Sequence, residues 1–260
     1  MALIIPQQLL PHLGAAAVRL DVDALDQCDS SNAELMRRLD APSGSVVVAD
    51  IQTAGRGRRG RVWESSPLGS LTFSLLWRFP PGANLSGLSL AAGLSVVEAL
   101  EKLGGHGVRL KWPNDILFQK KSHWGKLGGL LIELSSDSKG MQAVIGVGLN
   151  LTQPGVDLNP PASGLDEVLL PFPDRHRLLG LVLQGLVATL DEFSAHGFGP
   201  FRDAWQARHI WQGRHVCLNL DGERQAEGLC QGVDEDGALL LRTAAGSERF
   251  IVGDLSLRPL

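Results

Sequence analysis

The chain has 260 residues, 44% hydrophobic and 20% charged, with a formal net charge of -4. That length leaves room for one large domain or a large domain with a small companion, and the composition excludes a disordered, fibrous or membrane chain. The slight acidic excess argues against a general nucleic-acid binder, which carries a basic one.

No apolar run is long enough to span a membrane, and the N-terminal stretch 1–20 has no basic leader and is broken by Pro6 and Pro11. Three cysteines, Cys28, Cys217 and Cys230, form no C-x-x-C pair, which suits reduced thiols in a cytoplasm. The seven histidines are scattered from His12 to His215, so no metal site is assigned to side chains.

Residues 45–50 (SVVVAD) form a β-branched run that predicts a buried strand entering the loop 52–63, QTAGRGRRGRVW. A second strand is expected over 70–79, stopped by Pro80, Pro81 and Gly82. Ser86 is the expected cap of a helix whose Leu90, Leu94, Val97 and Leu100 recur at helical spacing, and Gly104 and Gly105 end it. Further strands are expected over 107–112, 127–134 and 142–151, followed by a proline- and glycine-rich loop, 153–164. Asp174 opens a long helix that Gly197 closes, and a shorter helical piece runs from Pro200 to about His209. Beyond Trp211, short strands are separated by Asp221-Gly222, Asp236-Gly237 and Ala245-Gly246, the chemistry of tight hairpins. The expected division is a domain over 1–211 and a small all-β domain over 212–260.

Four readings compete for the loop. Its Gly55-Arg56-Gly57-Arg58-Arg59-Gly60 spells the G-x-G-x-x-G of a dinucleotide turn, but that turn must open a helix, and RVWESSPLGS follows instead. An RNA-binding patch would need a second basic cluster with stacking aromatics, and only Trp63 is nearby. A merely solvated loop leaves the regular interleaving of glycine and arginine unexplained. A loop that closes over a phosphorylated ligand accounts for both residue types: glycine lets the backbone approach anionic oxygens, and guanidinium offers a planar donor fork.

The loop then takes its place in a series. DSSN (29–32), the arginine loop, KWPND (111–115), GKLGGLLIEL (125–134), IGVGLN (145–150) and the terminal DEDGALLL to SLR region, in this order, resemble the biotin protein ligases, or holocarboxylase synthetases. Ser31 stands where that family often has threonine and Thr53 where glutamine is common, which bears on ligand contacts and not on the reaction. The resemblance implies an α+β fold: a class II synthetase-like, biotin/lipoate ligase catalytic domain with a mixed sheet flanked by helices, and a C-terminal SH3-like β-barrel. It also implies ATP and Mg²⁺ as requirements, biotinyl-5'-AMP as intermediate and a lysine of a biotin carboxyl carrier protein as acceptor, with homodimers possible in the family. The 28 residues ahead of Asp29 are too few for a winged DNA-binding domain, so no repressor function and no DNA partner are expected. A lipoate-protein ligase working through lipoyl-AMP and an arginine/glycine RNA-binding module are the rival functions.

By resemblance, Arg58, Lys126 and Asp115 serve the reacting centre. Biotin contacts are expected from Ser30, Ser31, Asn32, Gln52, Gly55, Arg56, Arg58, Lys126, Gly129 and Gly146. ATP contacts are expected from Arg58, Arg59, Arg61, Trp63, Lys111, Asn114, Lys126 and Asn150. The physical need is plain, because a carboxylate must approach an already anionic α-phosphate and cations must neutralise the charge as it develops. Each position also has a plain structural reading: strand-edge lysine for Lys126, solvated strand end for Lys111, Asx-turn cap for Asp115, core aromatic for Trp63 and helix N-cap for the serines.

Overall fold

A computed structural model describes residues 2–38, 40–120, 123–137, 140–155, 161–220, 223–251 and 256–259. In chain order the strands of its larger sheet are β1 Asp21–Cys28, β2 Ser45–Gln52, β3 Ser70–Phe79, β4 Val108–Lys111, β5 Asp115–Gln119, β6 Trp124–Asp137 and β7 Gly140–Asn150. They lie in the order β1-β2-β3-β7-β6-β5-β4, with β1 parallel to β2 and every other neighbouring pair antiparallel.

Side chains alternate across a strand, so β3 sends Leu71, Phe73, Leu75, Trp77 and Phe79 to one face and Thr72, Ser74 and Leu76 to the other. The apolar face joins the main core with helices α3, Leu88–Lys102, and α4, Arg175–His196. On the opposite face a short helix, α2 at Ser31–Arg37, covers only part of the sheet, packing its fully buried Leu35 against Val47, Leu76 and Val144. Next to that small cluster the sheet shows Thr72 and Ser74 of β3 and Gly146 and Gly148 of β7, which lie opposite one another in the antiparallel register. An open, polar floor beside a short covering helix is where the cleft forms.

Asp174 caps α4 as expected, its carboxylate accepting the backbone N–H groups of His176 and Arg177. The start of α3 differs from expectation. The side chain of Asn84 accepts the N–H of Ser86 in an Asx turn, and Gly87, at φ 79°, takes the N-cap position instead of Ser86. The expected piece from Pro200 is a short 3-10 turn running into α5, Arg202–Arg208. α4 also amends the expectation that no apolar run reaches membrane length: its 22 residues pass by length and composition, at a hydropathy of 1.4, yet half of that window is buried inside the fold. Its Leu178, Leu179, Val182, Leu183, Leu186 and Leu190 are core residues. Three elements add to those expected from sequence, namely β1, α2 and β5, along with a single helical turn, α1, at Pro6–Leu9.

The second sheet holds β8 His215–Leu220, β9 Glu223–Val233, β10 Leu239–Thr243, β11 Gly246–Phe250 and β12 Ser256–Pro259, antiparallel in the order β11-β10-β9-β8-β12. This is the strand set of an SH3-like domain. Asp234 organises the turn at Asp236-Gly237 by accepting the N–H groups of Asp236 and Ala238. Ala245-Gly246 also makes a turn, and Asp221-Gly222 lies outside the described residues. Val216, Leu218, Cys230, Val233, Leu239 and Leu241 join the main core, and the indole N–H of Trp112 donates to the Gly237 carbonyl at 3.2 Å. The small sheet thus braces the hairpin between β4 and β5.

Candidate active site

A cavity of about 380 Å³ opens on the polar floor. One end is neutral. There Ser31 donates its N–H to Gln52 Oε1 at 2.7 Å, its hydroxyl oxygen lies 3.1 Å from the same oxygen, and Ser74 Oγ lies 2.7 Å from Ser31 Oγ and 2.6 Å from Asn32 Oδ1. Ser31, Asn32 and Ser74 are all buried. Ser30 occupies the N-cap position of α2, but its hydroxyl makes no capping bond. Gly146 lies against Asn32 so closely that a methyl group there would collide with the amide oxygen.

The other end is cationic. Arg56, Arg58, Arg59 and Arg61 from the loop, Lys111 from the end of β4 and Lys126 from β6 line it, against the carboxylates of Glu64 and Asp115. Asp115 opens β5 and pairs directly with Lys111 across the hairpin, so KWPND is a strand-turn-strand unit with a cis Trp112-Pro113 bond, and Asp115 is a strand residue rather than a turn residue. Its Oδ1 lies 2.6 Å from Lys126 Nζ and its Oδ2 4.0 Å from Lys111 Nζ. Burial pushes the Asp115 carboxyl upward, but the charges of Lys126, Lys111 and Arg61 and the bond to Lys126 outweigh it, leaving the group below the ordinary carboxylate range. Behind Lys111, the buried ring of His209 stacks on Trp205 at 4.6 Å between centroids. Burial, helped by the charge of Lys111, pushes His209 down to about 3, so this imidazole is neutral at physiological pH.

The loop spans both ends. Gly55 and Trp63 close its base through Trp63 N–H to Gly55 O at 2.9 Å, and the loop backbone pairs again between Arg56 and Val62. Between them Arg58–Gly60 make a single 3-10 turn in which Arg59 holds φ at 59°, a left-handed conformation that costs a residue with a Cβ about 1–2 kcal/mol. The ring of Trp63 lies on Gly148, where a methyl group would sit 2.5 Å from the ring carbons. Arg56 reaches across to Glu133 of β6 at 2.7 Å.

The structure therefore brings Ser30, Ser31, Asn32, Gln52, Arg56, Arg58, Arg59, Arg61, Trp63, Lys111, Asn114, Asp115, Lys126, Gly129, Gly146 and Asn150 to one cleft. Gly55 is not on its wall. It is buried at the loop base, where a side chain would strike the Trp63 carbonyl. Two of the amides hold backbone: Asn114 Nδ2 donates to Leu130 O at 2.7 Å and Asn150 Nδ2 to Lys126 O at 3.0 Å, fixing the β4–β5 hairpin and β7 to β6. Sequence reasoning missed Ser74, Glu133, Leu131 and Pro154. Ser74 had a signal, since Ser70, Thr72 and Ser74 alternate on one side of an otherwise apolar strand.

Comparison with known proteins agrees with this arrangement. Residues 25–150 match the biotin/lipoate A/B protein ligase family and residues 213–258 the biotin protein ligase C terminal domain. The bifunctional ligase/repressor BirA of Escherichia coli is 35% identical over 97% of this chain and 77% of its own. The chain belongs to the biotin protein ligase family. The biotin--[acetyl-CoA-carboxylase] ligase of Paracoccus denitrificans is 36% identical over 86% of this chain and 95% of its own. The biotin protein ligase from Aquifex aeolicus in complex with biotin and ATP superposes with a TM-score of 0.79 at 33% identity, covering 93% of this chain and 99% of that one.

Membership in the biotin protein ligases matches the architecture of the cleft, in which the family-matching segments on α2, the loop, the β4–β5 hairpin, β6 and β7 meet. Among the described residues no group of three His, Cys, Asp or Glu side chains is placed to hold a metal ion.

Proposed function

We propose that this chain activates biotin with ATP as biotinyl-5'-AMP and passes the biotinyl group to a lysine of a biotin carboxyl carrier protein, releasing pyrophosphate and then AMP. One observation carries the reading: a single cleft has a neutral hydrogen-bonding end, built by Ser31, Asn32, Gln52 and Ser74, and a cationic end, built by the loop arginines, Lys111 and Lys126. Biotin has the same polarity, with a ureido edge at one end and a carboxylate at the other. Lipoate carries an apolar dithiolane where biotin carries the ureido, and would leave the remaining hydrogen-bonding capacity of the polar end, such as the Ser30 hydroxyl that makes no capping bond, unmatched, which disfavours lipoate.

In the first step the biotin carboxylate attacks the α-phosphate and pyrophosphate leaves. Arg58 and Lys126 face the developing charge, and Arg56, Arg59, Arg61 and Lys111 lower the repulsion between the two anions. Mg²⁺ travels with the triphosphate and supplies further charge neutralisation there. Asp115 holds Lys126 at 2.6 Å and keeps its ammonium aimed into the cleft. In the second step the amine of the acceptor lysine attacks the acyl carbon and AMP leaves. Freeing that amine of its proton at pH 7 costs about 4.6 kcal/mol from an unperturbed value near 10.4. A carboxyl held below the ordinary range is a weak base, so Asp115 serves chiefly to draw in and orient the incoming ammonium. Trp63, lying on Gly148, provides an apolar wall for the adenine. An ATP-dependent reaction and the free thiols of Cys28, Cys217 and Cys230 fit a cytoplasmic setting.

The test is incubation of the pure protein with ATP, Mg²⁺, labelled biotin and an apo carrier domain, with lipoate in parallel. Labelling of the carrier by biotin, lost in Arg58→Ala with the fold intact, supports the reading. Labelling by lipoate in preference, or none at all, contradicts it.

A further inference from the structure

Glu133 has no part in the reaction as derived above, yet it touches both ends of the cleft. It lies on β6 opposite Val144 of β7, on the sheet face that carries the cleft. One oxygen, Oε2, accepts from Asn32 Nδ2 at 2.9 Å and from an Arg56 guanidinium nitrogen at 2.7 Å. Asn32 is 3% exposed and belongs to the neutral end, while Arg56 belongs to the loop.

A carboxylate only accepts hydrogen bonds, so this contact settles which way round the Asn32 amide sits. Nδ2 points to Glu133 and to Leu131 O at 3.1 Å, and Oδ1 is left to accept the Ser74 hydroxyl at 2.6 Å. Ser74 has a single proton, and giving it to Asn32 makes its oxygen an acceptor toward Ser31 at 2.7 Å. Ser31 in turn donates its N–H to Gln52 Oε1. The orientation of Asn32, and through it of the Ser74 and Ser31 hydroxyls, is thereby set by Glu133 together with the Leu131 carbonyl, while the Ser31 N–H fixes Gln52.

We propose that Glu133 is a positioning residue that orients the ligand-recognising amide of Asn32 and, through the same oxygen, docks Arg56, so that filling of the neutral end and closure of the arginine loop are coupled. The inference rests on reading the cleft as a biotin site. The two contacts differ in weight. The Arg56 side chain is 45% exposed, which makes its ion pair weak in itself, whereas the charge-assisted Asn32 bond is partly buried, joining a buried amide to a carboxylate 27% exposed.

Glu133→Gln tests it, since glutamine keeps the shape but can present a donor where the carboxylate only accepted. Losing one partly buried charge-assisted bond predicts about a tenfold rise in KM for biotin, against less than about twofold in KM for ATP. Biotin should slow trypsin cleavage after Arg56 to Arg61 in the unmodified protein and fail to do so in Glu133→Gln. Arg56→Gln should lose that protection at the remaining arginines with a smaller rise in KM for biotin. An unchanged urea midpoint excludes general unfolding as the cause. Equal effects on both KM values, or full protection by biotin in Glu133→Gln, would overturn the coupling. If calorimetry finds no biotin binding to the unmodified protein, the biotin reading itself falls and this inference with it.

Discussion

Replacing Lys126 by methionine removes the closest partner of Asp115 while keeping most of the side-chain volume. The carboxylate Oδ1 is 2.6 Å from Lys126 Nζ, and the Asp115 side chain is only 15% exposed. Removing one partner of a fully buried pair costs about 3–5 kcal/mol. Here Lys126 is itself 25% exposed and Lys111 remains at 4.0 Å, so the expected loss is smaller, about 2 kcal/mol at pH 7. The sign of its pH dependence follows from the depressed carboxyl. A folded value below the unfolded one, near 3.9, means the pair stabilises the fold above about pH 4 and ceases to as pH falls through the folded value. In Lys126→Met the upward push of burial is opposed only by Lys111 and Arg61, so most of that benefit is gone. Urea unfolding should therefore show a gap of about 2 kcal/mol between the two proteins at pH 7 that narrows steadily below pH 4. A gap of constant size across that range, or no gap at pH 7, would refute the electrostatic account of the pair. The same variant should form the adenylate at least about a hundredfold more slowly, because a cation facing the developing charge is lost.

His209 predicts an opposite experiment, in which a substitution helps. Its folded imidazole, pushed down to about 3 from 6.5, refuses the proton that the unfolded chain accepts, so stability falls as pH drops from about 6.5 toward 3. His209→Phe keeps the stack on Trp205 and removes the proton site; relative to the unmodified protein it should gain roughly 2 kcal/mol between pH 7 and pH 5 in urea titrations, and an unchanged difference would count against the buried neutral histidine. Gly148→Ala places a methyl group 2.5 Å from the Trp63 ring and must lift the loop, so trypsin should cut faster between Arg56 and Arg61 and KM for ATP should rise; equal cleavage rates would show that Trp63 does not lie on β7 in solution.

What could be read ahead of the structure followed the strength of local signals. β2, β3, β7, α3 and α4 have long apolar patterns of clear period, and their positions agree with expectation to within a few residues. β1 escaped because DVDALDQC is a half-exposed edge strand whose burial does not alternate cleanly. α2 and β5 have only seven and five residues, too short for a period to stand out, although both carry site residues. The arginine loop declared a phosphate ligand through its residue types, and five separated motifs carried the family resemblance that implied the rest of the chemistry. Their mutual geometry was not legible, since Glu133 meets Arg56 and Asn32 across 77 and 101 residues of chain, a pairing that only the β3-β7-β6 order creates. The Asp115–Lys126 contact likewise depends on β5 pairing with β6.

The most direct measurement is isotope exchange between labelled pyrophosphate and ATP, catalysed by the pure chain with Mg²⁺ and no acceptor protein. Reversible formation of a biotinyl-adenylate predicts exchange that starts only when biotin is added and disappears in Arg58→Ala. Absence of exchange in the unmodified protein, or exchange that proceeds equally well without biotin, would contradict the central claim.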